Sequence, residues 1–260
     1  MNKSYKIIDL SLPVMKNSSE PISFEHIKLN GKNGVEYISQ KSGISKEAFP
    51  DNQFITMDEY HIKTHMGTHI DSPSHYGASE VSGNVNYKTV SDLPLEWFFG
   101  EAVKLDFSSF PRKKNIMLSD FVNQEKKQKL KITPGTIVLL RTGMDRYFGK
   151  KEYFTDGPGV SKEVIEYLVE EKKVKVIGID SYGVDRSFPV MIDEYKKTGN
   201  IDVLWPAHMI GRKHEYVQVE RLCNLKLIPD SNFFVSLFPI KLQNADASWI
   251  RAVAIVKENK

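Results

Sequence analysis

Four of the chain's seven histidines crowd into one stretch, YHIKTHMGTHIDSPSHY over residues 60–76, as His61, His65, His69 and His75, with Asp71 among them. All five sit at odd positions, so in an extended chain their side chains would leave the backbone on one side. The even positions carry Ile62, Thr64, Met66, Thr68 and Ile70, the apolar or β-branched complement. A straight strand does not gather them: at about 3.3 Å per residue it would hold His65 and His69 roughly 13 Å apart. The chain must therefore fold back, and Gly67 followed by Thr68 is where it does so at least cost. His69 and Asp71 stay neighbours on one face, and Pro73 stops the ladder before His75.

Neutral imidazole nitrogens and a carboxylate converging at short range suit a borderline divalent cation. Two histidines and an aspartate leave positions on the ion for water, the arrangement of a catalytic metal. A lone histidine is usually a packed or hydrogen-bonded side chain. The HxxxHxDxxxH spacing with Gly-Thr inside it lifts this stretch above that reading. His214 and Glu215 make no second centre, because HEYVQ lacks the second histidine that HExxH requires.

HMGTHIDSPSH matches the HxGTHxDxPxH signature of the metal-dependent cyclase family, which includes bacterial kynurenine formamidases and isatin hydrolases. The resemblance runs from Ile8-Asp9-Leu10-Ser11 to the final strands. It implies an α/β fold, the family's single-domain swivelling β/β/α architecture with a mixed sheet, over residues 1–260. It also implies one or two divalent ions, zinc or manganese. His65, His69 and Asp71 would hold the first ion, and His208 with Glu220, twelve positions apart as in the family, would complete a second. Carried over the same way, His75 is the general acid/base, and its ordinary pKa near 6.5 suits that work. Asp180 resembles a recurring acidic position of the family, an orienting group behind the ligands.

The activity so implied is hydrolysis of an amide or cyclic amide, such as N-formylkynurenine or an isatin-like ring, by metal-activated water. The alternatives are a cyclase or lyase that stabilises an enolate, and a non-catalytic metal-binding protein. Relatives are homodimers or homotetramers, so a homo-oligomer is expected. The compact formamidases place a tryptophan shortly after an early proline. Here that region reads Pro21-Ile22-Ser23-Phe24, and the tryptophans are Trp97, Trp205 and Trp249.

The elements that must position these residues follow from hydrophobic pattern and punctuation. Strands are expected over residues 5–12, 54–63, 100–107, 136–142, 174–179, 232–239 and 249–256. Helices are expected over 119–129, capped by Ser119, and over 161–172, capped by Ser161. Residues 16–52 read as a long polar segment with one short strand-like piece at 35–39, of the kind that forms a lid or pocket wall. Phe24 and Phe54 either wall a pocket for a planar substrate or pack against a core. His61 is a supporting or merely structural group.

A chain of 260 residues can bury a sizeable core, and 40% hydrophobic with 27% charged residues is ordinary for a globular protein. The net charge of +3 gives no reason to invoke nucleic acid. The basic runs at Lys113-Lys114 and 125–129 carry interleaved acids and no aromatic platform, so they read as solvated surface. The single cysteine, Cys223, excludes an intrachain disulfide and lies in an apolar run as a packed side chain. The first residues lack a signal peptide's apolar core, and no segment is long and apolar enough to span a bilayer. The expectation is a cytoplasmic enzyme acting on a small molecule, with no membrane partner.

Overall fold

A computed structural model of the chain describes residues 4–77 and 88–258. The chain divides into two compact units, Met1–Glu20 with Thr64–Lys260, and Pro21–Lys63.

Thirteen strands occur among the described residues: β1 Tyr5–Asp9, β2 Glu25–Leu29, β3 Met57–His61, β4 His69–Asp71, β5 Phe99–Asp106, β6 Asn115–Ile116, β7 Ile137–Arg141, β8 Gly159–Val160, β9 Val176–Ile179, β10 Val217–Glu220, β11 Phe233–Ser236, β12 Ala247–Trp249 and β13 Val253–Lys257. Nine of them form the mixed sheet of the larger unit, in the order β1-β13-β11-β5-β7-β9-β10-β4-β12. Its middle is parallel, β5 to β7 to β9 to β10, and antiparallel pairs flank it on both sides.

Alternation along the middle strands explains why they lie in the middle. Ile137 and Leu139 of β7 point into one apolar cluster, Val138 and Leu140 into another, and all four are buried. A strand apolar on both faces has no solvated side, so it belongs between two covering layers. On the second face the helices Leu118–Lys127 and Lys162–Glu166 supply Phe121, Val164 and Ile165 to that layer. Full burial of each such side chain is worth about 1.5–3 kcal/mol, which is what holds the parallel core in register.

Three expectations are corrected. The helix Leu118–Lys127 starts ahead of Ser119, because the Asp120 carboxylate accepts from the Met117 backbone N–H at 3.0 Å and ties off the first turn there. Residues 249–256 are not one strand. Trp249 ends β12 at one edge of the sheet, whereas Val253 begins β13 next to the opposite edge strand.

In the smaller unit residues 35–39, expected to be strand-like, instead lie inside the helix Gly31–Ser42. Asn30 caps that helix by accepting from Lys32 N and Asn33 N, and Gly43 closes it at φ +72°. These end signals outweigh the strand-like Val35 and Ile38. The antiparallel pair β2–β3 accompanies the helix in this unit.

Candidate metal centre

The Gly67–Thr68 turn is built as the spacing requires. Gly67 has φ +72°, a conformation that costs a side chain 1–2 kcal/mol or so, and an added Cβ would meet Val14 Cγ2 at 2.7 Å. The buried Thr68 hydroxyl then fastens the turn, accepting from Leu12 N at 2.7 Å and donating to the Arg221 carbonyl at 2.6 Å. Folding back there brings the His65 and His69 rings to 5.1 Å between centroids.

Beyond the turn, β4 lies between β10 and β12. Its antiparallel register with β10 sets Glu220 directly opposite His69, and that with β12 sets Ala247 opposite Asp71. The short helix Pro206–Ile210 presents His208. Its Nε2 stands 3.6 Å from Glu220 Oε1 and 4.0 Å from Asp71 Oδ2. His65 Nδ1 and His69 Nε2 lie 2.9 and 3.3 Å from Asp71 Oδ1, and His69 Nε2 lies 3.7 Å from Glu220 Oε2. Thus His65, His69, Asp71, His208 and Glu220 are gathered from four parts of the chain.

His75 sits on the tight turn Pro73–Tyr76, its ring 4.3 Å from that of His65 and 5.7 Å from that of His208. The remaining residues singled out in the sequence have other partners. Asp180 is buried at the end of β9, where its oxygens accept from Thr142 N (2.6 Å), Thr142 Oγ1 (2.5 Å) and Gly143 N (2.9 Å). It ties the ends of β7 and β9 together, and burial pushes its carboxyl up to about 7. Phe24, Phe54 and His61 belong to the smaller unit. There Phe24 packs edge-on to Tyr60, Phe54 edge-on to Phe49, and exposed His61 pairs with Glu59 at 2.7 Å.

Two carboxylates that no motif marked complete the centre. Asp185 Oδ2 stands 2.6 Å from His208 Nδ1, and its carboxylate also accepts from the backbone N–H groups of Ala207 and His208. Asp246 Oδ2 stands 3.1 Å from His65 Nε2 and 3.5 Å from His75 Nδ1. Arg221, next to Glu220, was also missed. It holds a positive φ of 60°, is buried against Tyr182 at 3.8 Å from the ring, and pairs with Glu20. Asp185 closes the segment GIDSYGVD that runs out of the strand expected over 174–179, which is a weak sequence signal; Asp246 and Arg221 carry none.

The charges here favour a cation. Burial alone would lower His65, but the Asp246 and Asp71 carboxylates raise it to about 10. Burial would likewise lower His208, which Asp185, Glu220 and Asp71 raise to about 9. Burial would raise the Asp71 carboxyl, yet His69, His75 and His65 hold it well below the usual range. A buried polar atom without a partner costs about 1–3 kcal/mol. Three are concentrated here, since among the described residues His69 Nε2 and both oxygens of Asp71 have no hydrogen-bond partner.

A divalent ion answers that arrangement. Donors on a tetrahedral ion with bonds of about 2.0–2.2 Å stand about 3.3–3.6 Å apart, close to the separations found. The residues present fit such an ion. His69 donates from Nδ1 to the Gly67 carbonyl at 2.8 Å, which leaves the Nε2 lone pair free for it.

The model of the family described as Putative cyclase matches residues 8–186, and the chain belongs to that family. It is 31% identical over 201 residues to Cyclase-like protein 2 of Arabidopsis thaliana, a match covering 76% of this chain and 64% of that protein. The Bacillus cereus protein named kynurenine formamidase is 24% identical over 257 residues, covering 96% of this chain and 98% of its own. Among solved structures, isatin hydrolase A from Labrenzia aggregata superposes with a TM-score of 0.74 at 20% identity, over 98% of this chain and 94% of that one. That likeness shows the shared α/β fold with its mixed sheet.

Proposed function

We propose that the chain is a metal-dependent hydrolase that cleaves the C–N bond of an aryl formamide or a cyclic amide. One observation carries this reading: three buried atoms without a partner among the described residues, His69 Nε2 and both Asp71 oxygens, beside further imidazole and carboxylate groups. The family and the relatives named kynurenine formamidase and isatin hydrolase support the substrate class.

His65, His69 and Asp71 would hold one ion, and Asp71 with His208 and Glu220 would hold a second. Imidazole-rich ligation favours zinc, and the carboxylate share accommodates manganese. When bound, such ions acidify a water toward neutral pH and polarise the carbonyl under attack. The chain supplies the rest. Asp185 keeps the His208 ring turned so that Nε2 faces the ligand group. His75, at the rim and about a third exposed, carries the proton delivered to the leaving nitrogen. A homo-oligomeric assembly of this small-molecule enzyme is part of the same reading.

The test joins elemental analysis of the purified protein to an activity screen on N-formylkynurenine, isatin and simple aryl formamides. Hydrolysis adds the mass of water to the product, is lost on chelation and returns with one added metal. A product of unchanged mass would instead indicate a cyclase or lyase, and a metal-loaded protein inert to all three classes would contradict the reading.

A further inference from the structure

On the proposed metal centre, the nitrogen with which His65 would meet the ion is set by the neighbours of its ring. Each of the other ligand imidazoles has its choice made by a group that can only accept. His69 Nδ1 faces the Gly67 carbonyl and His208 Nδ1 faces Asp185, so both rings offer Nε2.

His65 is reversed. Its Nε2 meets Asp246 Oδ2 in hydrogen-bonding direction at 3.1 Å. Its Nδ1 lies 2.9 Å from Asp71 Oδ1, yet among the described residues neither Asp71 oxygen accepts a hydrogen bond. A carboxylate only accepts, so in the neutral ring that an ion requires the proton belongs on Nε2 and the lone pair on Nδ1. The geometry points to Asp246 as the positioning residue that makes Nδ1 the ligating nitrogen of His65. The same oxygen, 3.5 Å from His75 Nδ1, leaves Nε2 of His75 as the nitrogen free to exchange a proton.

The placement of Asp246 is built into the sheet. The β4–β12 register sets Ala247 against Asp71 and therefore brings the preceding Asp246 beside Ser72. Ser72 fixes it twice, donating from its backbone N at 2.9 Å and from Oγ at 2.8 Å to the Asp246 carbonyl. Val90 N in turn donates to the Ala245 carbonyl at 2.9 Å. A half-exposed carboxylate would ordinarily swing freely in water, but this one hangs from a backbone held on both sides. One oxygen therefore connects a metal-binding imidazole to the proton-carrying one.

The experiment uses protein labelled with ¹⁵N-histidine, stripped with chelator and reloaded with ¹¹³Cd²⁺, read by long-range ¹H–¹⁵N spectra. Alongside it, Zn²⁺ affinity is measured for wild type, Asp246→Asn and Asp246→Ala. Cadmium coupling to Nδ1 of His65, with a proton retained on Nε2, is expected. Asp246→Ala should weaken Zn²⁺ binding about 10–100-fold, as loss of a ligand's supporting carboxylate does, and Asp246→Asn, which keeps an acceptor oxygen, by less. The metal-free alanine variant should still melt cooperatively, losing only the stabilisation that Asp246 gives protonated His65, because Ser72 holds the backbone and not the side chain. Coupling to Nε2 of His65, a carboxylate of Asp246 on the ion itself, or wild-type zinc affinity in Asp246→Ala overturns the assignment. A wild type that takes up neither ion overturns the metal centre, and this inference with it.

Discussion

Asp185 Oδ2 stands 2.6 Å from Nδ1 of His208, and that contact decides which face of the imidazole meets Asp71 and Glu220. The carboxylate is held in turn by the backbone N–H groups of Ala207 and His208, so it anchors the start of the short helix as well as the ring. Asp185→Ala is expected to weaken divalent-metal binding about 10–100-fold, the usual cost of losing a ligand's hydrogen-bonded carboxylate. Competition with a chromophoric chelator measures it. Affinity equal to wild type would mean that His208 needs no orientation or holds no ion.

His75 is assigned proton delivery and not ligation. His75→Ala should therefore lower the hydrolysis rate about 10²–10⁴-fold while metal content stays at the wild-type stoichiometry. Rate measurement and elemental analysis on the same preparation separate the two. Loss of the metal together with the rate would make His75 a ligand.

The Thr68 hydroxyl is a fastening. Thr68→Val keeps the shape but strands the Leu12 N–H and the Arg221 carbonyl, both of which it now satisfies. A loss of about 1–3 kcal/mol is expected in chemical denaturation of the metal-free protein. An unchanged midpoint would show that the turn is held by Gly67 alone.

Stability should respond to pH in opposite senses with and without metal. His65 and His208 titrate near 6.5 in an unfolded chain but at about 10 and about 9 in the fold. Their raised values stabilise the metal-free fold fully below about pH 6.5, and this is lost as pH rises through 9 to 10. An ion requires the neutral imidazoles, so the extra stability it confers grows across that same interval. Thermal melts across this range, with chelator and with added Zn²⁺, should diverge as pH rises. Parallel curves would contradict the electrostatic description of the centre.

The parts legible in the sequence were those whose cause is local. His65, Gly67, His69 and Asp71 lie within seven residues, so spacing and the needs of one glycine bring them together. The apolar runs Ile137–Leu140 in β7 and Val176–Ile179 in β9 announce central strands for the same reason. What was hidden depends on register between distant segments: Asp246 reaches His65 only because Ala247 pairs with Asp71 across the β4–β12 ladder. Asp185 was visible as an acid after a strand, but its partner came with a helix start more than twenty residues later. The misread piece at 35–39 shows cap residues overruling β-branched content, since Asn30 and Gly43 bracket a helix that alternation alone does not reveal.

The central claim is that Asp71 and the histidines around it bind a divalent cation, and calorimetric titration of chelator-stripped protein with Zn²⁺ and with Mn²⁺ tests it most directly. Wild type should show saturable binding with one or two ions per chain, and Asp71→Ala, which removes the carboxylate proposed to serve both ions, should abolish it. A wild type that takes up neither ion, or an Asp71→Ala variant that binds as the wild type does, would contradict the account.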